Sequence, residues 1–373
     1  MQAKRERPLG MYPERSKNMK KLLTVLLTLT LLLTLNACGT KLPVEEYTVQ
    51  TRFYTDDMGR RVEIPEKIER IVPSAAMAQL ILQALAPELL VGVASGLKDE
   101  AQGFVDERLF ALPDFGSLYA GGDLNIEELA KADPQLIVDI GEKKPSTMED
   151  MDALQAQTLI PTVFLSTSLE SMPETYRKLG SLLGKEEKAE VLATFCEKVY
   201  NRTLSIMDRV GENKVDALYV LGKDGLNVIA ANSYHAELID MLTNNLAVVE
   251  SPISKGSGNA VTMEQIALWD PDFVIFGPDS IYDTAENRPG WDQITAIINE
   301  NFVEVPDLPE NWMSMPPSVQ RYLGLIWLPY VLYPEHCNYD VKADIMEYYR
   351  LFYGCELTEK SYAELTDRAF LEG

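Results

Sequence analysis

Two glutamates occupy the same position in two segments of the chain that repeat each other without a gap. Residues 125–138 read NIEELAKADPQLIV and residues 262–275 read TMEQIALWDPDFVI, so that Glu127 aligns with Glu264. An ionised carboxylate accepts strong, geometrically selective hydrogen bonds from an arginine guanidinium. If both glutamates lie at exposed helix starts, the repeat offers a matched pair of anionic contacts to a basic partner.

The same segments also suit a purely structural role. Asn125 and Thr262 are good N-cap residues, and Glu128 and Gln265 stand three positions later, where their side chains complete capping boxes. An acidic residue in the first turn is further stabilised by the helix dipole. Helix capping therefore remains an alternative explanation for both glutamates.

Strands and helices alternate around both repeats. Short apolar strands are predicted at residues 69–74, 88–95, 136–140, 162–166, 215–222, 247–250, 271–276 and 302–306. Between the two sets, residues 185–212 hold an apolar stripe over about seven helical turns. Apolar strands that alternate with helices indicate parallel sheets covered on both faces. The sequence therefore predicts an α/β fold of two Rossmann-like lobes with parallel-rich sheets, one long connecting helix and a ligand cleft between the lobes.

The first 37 residues predict a signal peptide. Lys20 and Lys21 precede an apolar run at residues 22–35 that is too short to span a bilayer comfortably. The run ends in Leu-Asn-Ala-Cys, which resembles the lipobox of bacterial lipoproteins, with Cys38 as the diacylated N-terminus. A plain signal peptide with an incidental cysteine is the alternative.

Met19 is the expected start of translation, so residues 1–18 are interpreted as an upstream extension or a long n-region. Two acyl chains are enough to hold a soluble body at a membrane surface. The remaining predicted boundaries are a tether at 38–53, a first α/β lobe at 54–168, a helical segment at 169–212 and a second α/β lobe with a helical tail at 213–373.

Composition excludes some functions. The chain of 373 residues carries a net charge of −23, and removing residues 1–37 makes it −28, so a nucleic-acid partner is not expected. The sequence contains no nucleophile elbow, clustered metal ligands or phosphate loop, which argues against an enzyme. An adhesive or structural lipoprotein, the other alternative, would need neither a cleft nor paired glutamates.

Cysteine and histidine are too sparse for a disulfide scaffold or a zinc site. After Cys38 the only cysteines are Cys196, Cys337 and Cys355, and the only histidines are His235 and His336. Cys337 and Cys355 flank a predicted helix, and the sequence leaves open whether they pair. Both histidines are interpreted as surface or packed polar residues.

Several separated motifs carry a family resemblance. The pattern D-x-x-G-R-x-V-x-I-P at residues 56–65 is followed by Pro73-Ser74, the two glutamate repeats on either side of a long helix, and PPSVQRYLGLIW at 316–327. Together they resemble the helical-backbone class of substrate-binding proteins of bacterial ABC importers, over about residues 52–355. That class serves iron-siderophores, haem and cobalamin.

The resemblance implies a monomeric receptor on the outer face of the cell membrane, without an intrinsic cofactor, that delivers a metal chelate to a permease. It also implies that Glu127 and Glu264 dock into arginine pockets on that permease. A small oxyanion such as molybdate or tungstate is the alternative cargo.

In α/β lobes, ligands bind at the carboxyl ends of the strands, which selects loops facing the predicted cleft. The candidate ligand-binding residues are Ser74, Tyr119, Lys143, Lys223, Asn259, Trp312, Met313 and Arg321. Tyr119 and Trp312 could form flat aromatic walls, and Lys143, Lys144 and Arg321 could contact anionic groups. Each could instead be an ordinary packed or solvated residue. Because one long helix connects the lobes, little closure on ligand is expected.

Overall fold

The structure is a computed structural model that describes residues 50–118, 126–253 and 256–371. The body of the protein, which begins at Gln50, forms one compact unit. The predicted signal peptide, Cys38, Tyr119 and Asn125 lie outside the described residues. Within the described ranges, no helix combines the length and apolarity needed to cross a membrane.

The first lobe is built on a parallel sheet next to an antiparallel hairpin. The hairpin pairs β1 (Thr51–Thr55) with β2 (Arg61–Pro65), and the sheet has the order β3 (Ile71–Pro73), β4 (Leu136–Gly141), β5 (Thr162–Ser166). The helices of this lobe are α1 (Ala76–Leu85), α2 (Ile126–Ala132) and α3 (Thr147–Thr158). Since β1 starts at Thr51, the last residues of the predicted tether belong to the body.

Both faces of β4 are covered, as the apolar run at residues 136–138 predicts. Leu136, Val138 and Ile140 belong to the main core together with α1. Ile137 points to the opposite face and packs in a separate cluster with Leu129 of α2. This alternation follows from the two-residue period of a strand.

A helical pair connects the two sheets. Helix α4 (Met172–Leu183) leads into α5 (Glu186–Val210), whose 25 residues confirm the long helix predicted at 185–212. At 1.5 Å per residue α5 is about 37 Å long. A Cβ on Gly180 of α4 would lie 2.5 Å from the Cβ of Ala189, so this close helix contact requires glycine.

The second lobe contains a mixed six-stranded sheet. Its order is β11-β10-β6-β7-β9, and β8 also pairs with β6. The strands are β6 (Asp216–Leu221), β7 (Asn227–Val228), β8 (Asn244–Asn245), β9 (Asn259–Ala260), β10 (Phe273–Phe276) and β11 (Phe302–Glu304). Strands β6, β8, β10 and β11 are parallel to one another, β7 pairs antiparallel with β6, and β9 pairs antiparallel with β7. Its helices are α6 (Glu237–Leu242), α7 (Met263–Trp269) and α8 (Thr295–Ile298).

The chain ends in helices α9 (Arg321–Leu332), α10 (Val341–Tyr348), a π-helical turn (Tyr349–Tyr353) and α11 (Glu359–Leu365). Two predicted strands were wrong. Residues 88–95 begin within the 3₁₀ turn Pro87–Leu89 and form only single bridges, from Leu90 and Val93. The pairing predicted at 247–250 occurs earlier, at β8.

Cys337 and Cys355 are free thiols, which corrects the possible disulfide. Helix α10 and the π-helical turn lie between them, and 13 helical residues span on the order of 20 Å. Disulfide-bonded residues need Cα atoms within about 7 Å of each other. An intervening helix of this length therefore disfavours a disulfide between the two cysteines.

Candidate functional site

A cavity of about 150 Å³ lies where the carboxyl end of β4 meets the second lobe. We call it the cleft cavity. The first lobe lines it with Asp139, Gly141, Glu142, Lys144, Asp150 and Met151, and the second lobe lines it with Tyr234, His235 and Pro317. Its position agrees with the rule that ligands of α/β folds bind beyond the strand ends.

His235 presents one free ring nitrogen at this cavity. It lies in the 3₁₀ turn Tyr234–Ala236, directly before α6, and its Nδ1 is 2.9 Å from the carbonyl oxygen of Ser314. Because a carbonyl can only accept, Nδ1 carries the proton and Nε2 keeps its lone pair. Nε2 has no hydrogen-bond partner among the described residues and is not buried. Burial lowers the pKa of His235, and the nearby charges of Arg321 and Lys144 lower it further, so the ring is neutral at pH 7.

Arg321 supports the turn that carries His235. Its side chain is fully buried, with Nη1 2.8 Å from Oε2 of Glu237 and 3.3 Å from the carbonyl oxygen of Tyr234. The guanidinium also lies 5.1 Å from the centre of the Tyr234 ring. Arg321 is thus placed to position the turn, and it does not itself line the cleft cavity.

Direct contacts join the two lobes around the cleft cavity. The Tyr234 hydroxyl donates to the carbonyl oxygen of Thr167 at 2.9 Å, and the Ser318 hydroxyl donates to that of Met77 at 2.9 Å. Farther along the boundary, Lys98 pairs with Asp307 at 2.6 Å. These bonds set the separation of the lobes next to His235.

The other residues predicted from the first lobe have structural partners. Ser74 is fully buried and donates to the carboxylate of Asp139, so it contributes to the cavity only through that acid. Lys143 is exposed, 3.4 Å from the carbonyl oxygen of Asp57, and its neighbour Lys144 lines the cavity instead.

Trp312 and Met313 are core residues, which corrects the predictions that both contact the ligand and that Trp312 forms a wall of the cleft. Both are essentially inaccessible, and the Trp312 ring meets Trp327 edge-on with 6.1 Å between centroids. Asn259 is also buried, and its side-chain amide forms two hydrogen bonds with the backbone of Ile253. Lys223 is exposed.

The two glutamate repeats have matching local structure. Leu129 and Ile266 are the buried residues of α2 and α7, and Glu127 and Glu264 are both exposed in the first turn. The Thr262 hydroxyl accepts from the amide of Gln265 at 3.2 Å, which confirms the predicted N-cap. Hydrogen bonds from its own backbone amide and from the Thr262 hydroxyl lower the pKa of Glu264.

His235 was missed as a site residue because β7 was not predicted. The two-residue strand β7 turns the chain back beside β6 and brings residues 234–235 to the cleft. A histidine shortly before a helix in the second strand-helix unit was the available signal. In the described part of the chain, no group of three or more His, Cys, Asp and Glu side chains could hold a metal ion by itself.

A family model described as periplasmic binding protein matches residues 82–308, more than half of the chain. None of the curated proteins matches the chain significantly.

Several solved structures resemble this chain over nearly the whole of their own length. An ABC transporter solute binding protein from Sulfurospirillum deleyianum is 26% identical, with a TM-score of 0.78, covering 85% of this chain and 99% of that one. A periplasmic solute binding protein from Veillonella parvula is 24% identical, with a TM-score of 0.70 and coverages of 86% and 98%. The molybdate periplasmic binding protein MolA from Haemophilus influenzae, bound to molybdate, is 20% identical, with a TM-score of 0.65 and coverages of 82% and 99%.

Proposed function

Since this chain belongs to the periplasmic binding protein family, we propose that it is the lipid-anchored receptor of an ABC importer and that its cargo is a metal chelate. Cys38 would carry the anchor on the outer face of the membrane, and the body would bind cargo between its lobes. Glu127 and Glu264 would contact arginines of the permease.

The observation that carries the choice of cargo is the state of His235. A neutral imidazole whose Nδ1–H donates to a backbone carbonyl and whose Nε2 is free is the usual arrangement of a histidine metal ligand. One imidazole cannot hold a metal alone, and the described residues supply no cluster to complete its coordination. The metal must therefore arrive with most of its ligands, as a chelate with one position open to Nε2.

The charges that line the cleft cavity also favour a metal chelate as the cargo. Three carboxylates line it, Asp139, Glu142 and Asp150, against the single ammonium group of Lys144. Lys144 itself lies 3.8 Å from Glu142. This excess of negative charge suits a cationic or neutral complex better than an anion.

A small oxyanion is the second candidate, because the cleft cavity is small. About 150 Å³ encloses a tetrahedral oxyanion but only the coordinating edge of a large chelate. A similar fold binds molybdate in MolA.

The test is purification of the full-length protein from its own host, followed by native mass spectrometry and visible absorbance. A bound metal chelate, whose absorption band shifts in His235→Asn, is expected. Asparagine can still donate to Ser314 but has no Nε2, and His336→Asn, at the only other histidine, is the matched control. An oxyanion mass on a colourless protein would favour the second candidate, and an unchanged chelate spectrum and affinity in His235→Asn would refute metal ligation by His235.

A further inference from the structure

A second cavity, of about 360 Å³, lies beside the C-terminal helices and shares no lining residue with the cleft cavity. It is enclosed by α1, the loop at residues 103–106, the start of α5 and the π-helical turn. We call it the tail cavity, and the residues that define it here are Gln83, Phe104, Lys188, Arg350, Tyr353 and Cys355. Its size is within the range of small-molecule sites.

Two cations at the tail cavity lack counter-ions. Among all basic side chains in the described ranges, four have no ion pair, hydrogen bond or ring contact: Lys188, Lys223, Arg288 and Arg350. Two of these four, Lys188 and Arg350, line this one cavity. Both side chains are exposed, yet in a chain with 57 acidic and 34 basic residues two cations without ion pairs at one site are unexpected.

Acids close to the tail cavity are already engaged. Glu88 forms its ion pair with Lys185 at 2.7 Å, and it acts on Lys188 only at longer range, without an ion pair. Asp106, the acid in the cavity lining, pairs with Arg108 and also accepts from the Arg108 amide at 3.0 Å. Desolvation lowers the pKa of Lys188, as expected for an ammonium group that lacks a close carboxylate.

A buried polar atom of the lining is also unsatisfied. Nε2 of Gln83 is buried and has no hydrogen-bond partner among the residues that the structure describes, whereas the buried hydroxyl of Tyr353 interacts with that of Tyr348. Such atoms are rare in proteins, and each destabilises the fold unless a bound group satisfies it. Gln83 can only donate through Nε2, so the missing partner is an acceptor.

The rest of the lining is apolar and held by aromatic packing. Phe104 meets Tyr349 edge-on at 6.1 Å, and Phe352 stacks on Tyr348 at 4.3 Å. Tyr349–Tyr353 forms the π-helical turn, a distortion that is frequent at functional sites. The cavity therefore combines apolar walls with donors and positive charge.

We propose that the tail cavity is a second binding site, for an organic anion in which a carboxylate or phosphate head group is joined to a short apolar chain. The head group neutralises Lys188 and Arg350 and accepts a hydrogen bond from Gln83. The apolar chain packs against Phe104 and Leu351. This site is separate from the cargo site, so neither proposal depends on the other.

Isothermal titration calorimetry of the full-length chain with hexanoate, hexyl phosphate and hexan-1-ol tests the proposal. Saturable binding of at least one of the two anions is expected, and comparing them identifies the head group. Hexan-1-ol, which has the same apolar chain without the charge, should bind at least tenfold more weakly, a difference of about 1.4 kcal/mol. Lys188→Glu and Arg350→Glu should each weaken anion binding at least tenfold. Arg288→Glu makes the same change of charge at an unpaired arginine elsewhere and should leave binding unchanged.

Thiol alkylation locates the site independently. A bound anion should slow alkylation of Cys355, which lines the tail cavity, over the same concentrations that give the calorimetric signal. Cys337, also free and partly accessible, should react at an unchanged rate. Absence of saturable binding by both anions, equal binding of hexan-1-ol, equal weakening by Arg288→Glu, or equal protection of both thiols would each overturn the proposal.

Discussion

Asp133 and Asp270 end the two repeated helices in the same left-handed backbone conformation, with φ of 48° and 40°. Few residues other than glycine adopt positive φ, and aspartate is among those that tolerate it. The internal repeat therefore extends from sequence to backbone geometry. It places Glu127 and Glu264 at equivalent points before β4 and β10.

Asp270 should matter for stability through its side chain as well as its backbone. Oδ1 accepts from the Thr295 amide at 2.8 Å and Oδ2 from the Thr295 hydroxyl at 2.8 Å, at the start of α8. We expect Asp270→Ala to destabilise the protein by about 1–2 kcal/mol, from the lost hydrogen bonds and the left-handed conformation. Asp270→Asn should cost less than about 0.5 kcal/mol because asparagine tolerates the conformation and keeps one acceptor. Urea unfolding measures both, and equal losses would contradict this explanation.

The paired glutamates should be needed for transport and not for binding. Glu127→Gln together with Glu264→Gln removes both charges and keeps the side-chain shape. We expect uptake of cargo by cells to fall while the affinity of the purified protein stays within about twofold. Glu149→Gln with Glu212→Gln, two exposed glutamates outside the repeats, is the charge-matched control. Unchanged uptake in the repeat variant would leave helix capping as the role of both residues.

Hydrophobic periodicity predicted the helices and strands whose formation depends on residues close together in the sequence. The 25 residues of α5 and the buried strand β4 appear where their patterns placed them. The exposed glutamates also follow from local signals, since Thr262 caps α7 as expected. These features depend on interactions within a few residues along the chain.

The cleft depends on contacts between residues that are distant in sequence, and there the predictions failed. Trp312 follows turn residues and looked exposed, yet α9 covers it, and a Cβ on Gly324 would lie 2.7 Å from the Trp312 carbonyl oxygen. His235 looked like an isolated polar residue until β7 and Ser314 fixed its position. Local pattern carries no information about either contact.

Trp312 should therefore contribute to stability and not to ligand specificity. Trp312→Ala leaves a large cavity against Trp327 and should destabilise the protein by about 3–5 kcal/mol. Gly324→Ala should also destabilise it, by about 1–3 kcal/mol, because the added methyl group overlaps Leu238 and the Trp312 backbone. The folded fraction of each variant should bind cargo with wild-type affinity, measured below its unfolding temperature. A loss of cargo affinity in Trp312→Phe without a loss of stability would instead show that Trp312 contacts the ligand.

Glu310 should make stability decrease with rising pH. Burial, with a smaller contribution from Asp307, raises the pKa of Glu310 from 4.5 to about 7, although Lys98 opposes the shift. A carboxyl group whose pKa is higher in the folded state loses no stability below pH 4.5. It destabilises the folded state progressively between pH 4.5 and about 7. Glu310→Gln should thus stabilise the protein at pH 8, by about 1–3 kcal/mol, and have little effect at pH 4.5. Urea unfolding at both pH values is the measurement, with the exposed Glu187→Gln as control.

Cargo affinity should fall as pH decreases if His235 binds the metal of a chelate. A proton and a metal ion compete for Nε2, and burial lowers the pKa of His235 below its ordinary value of 6.5. Affinity should therefore be constant above pH 6.5 and decline at lower pH, once the folded-state pKa is reached. His235→Asn should bind more weakly at pH 7 and lose this pH dependence, whereas His336→Asn should keep it. The measurement is titration of the protein with the chelate from pH 5 to 8. Circular dichroism of the same samples distinguishes competition by protons from release of the chelate through unfolding. A pH profile that survives in His235→Asn would assign the titrating group to the chelate or to the carboxylates of the cleft cavity.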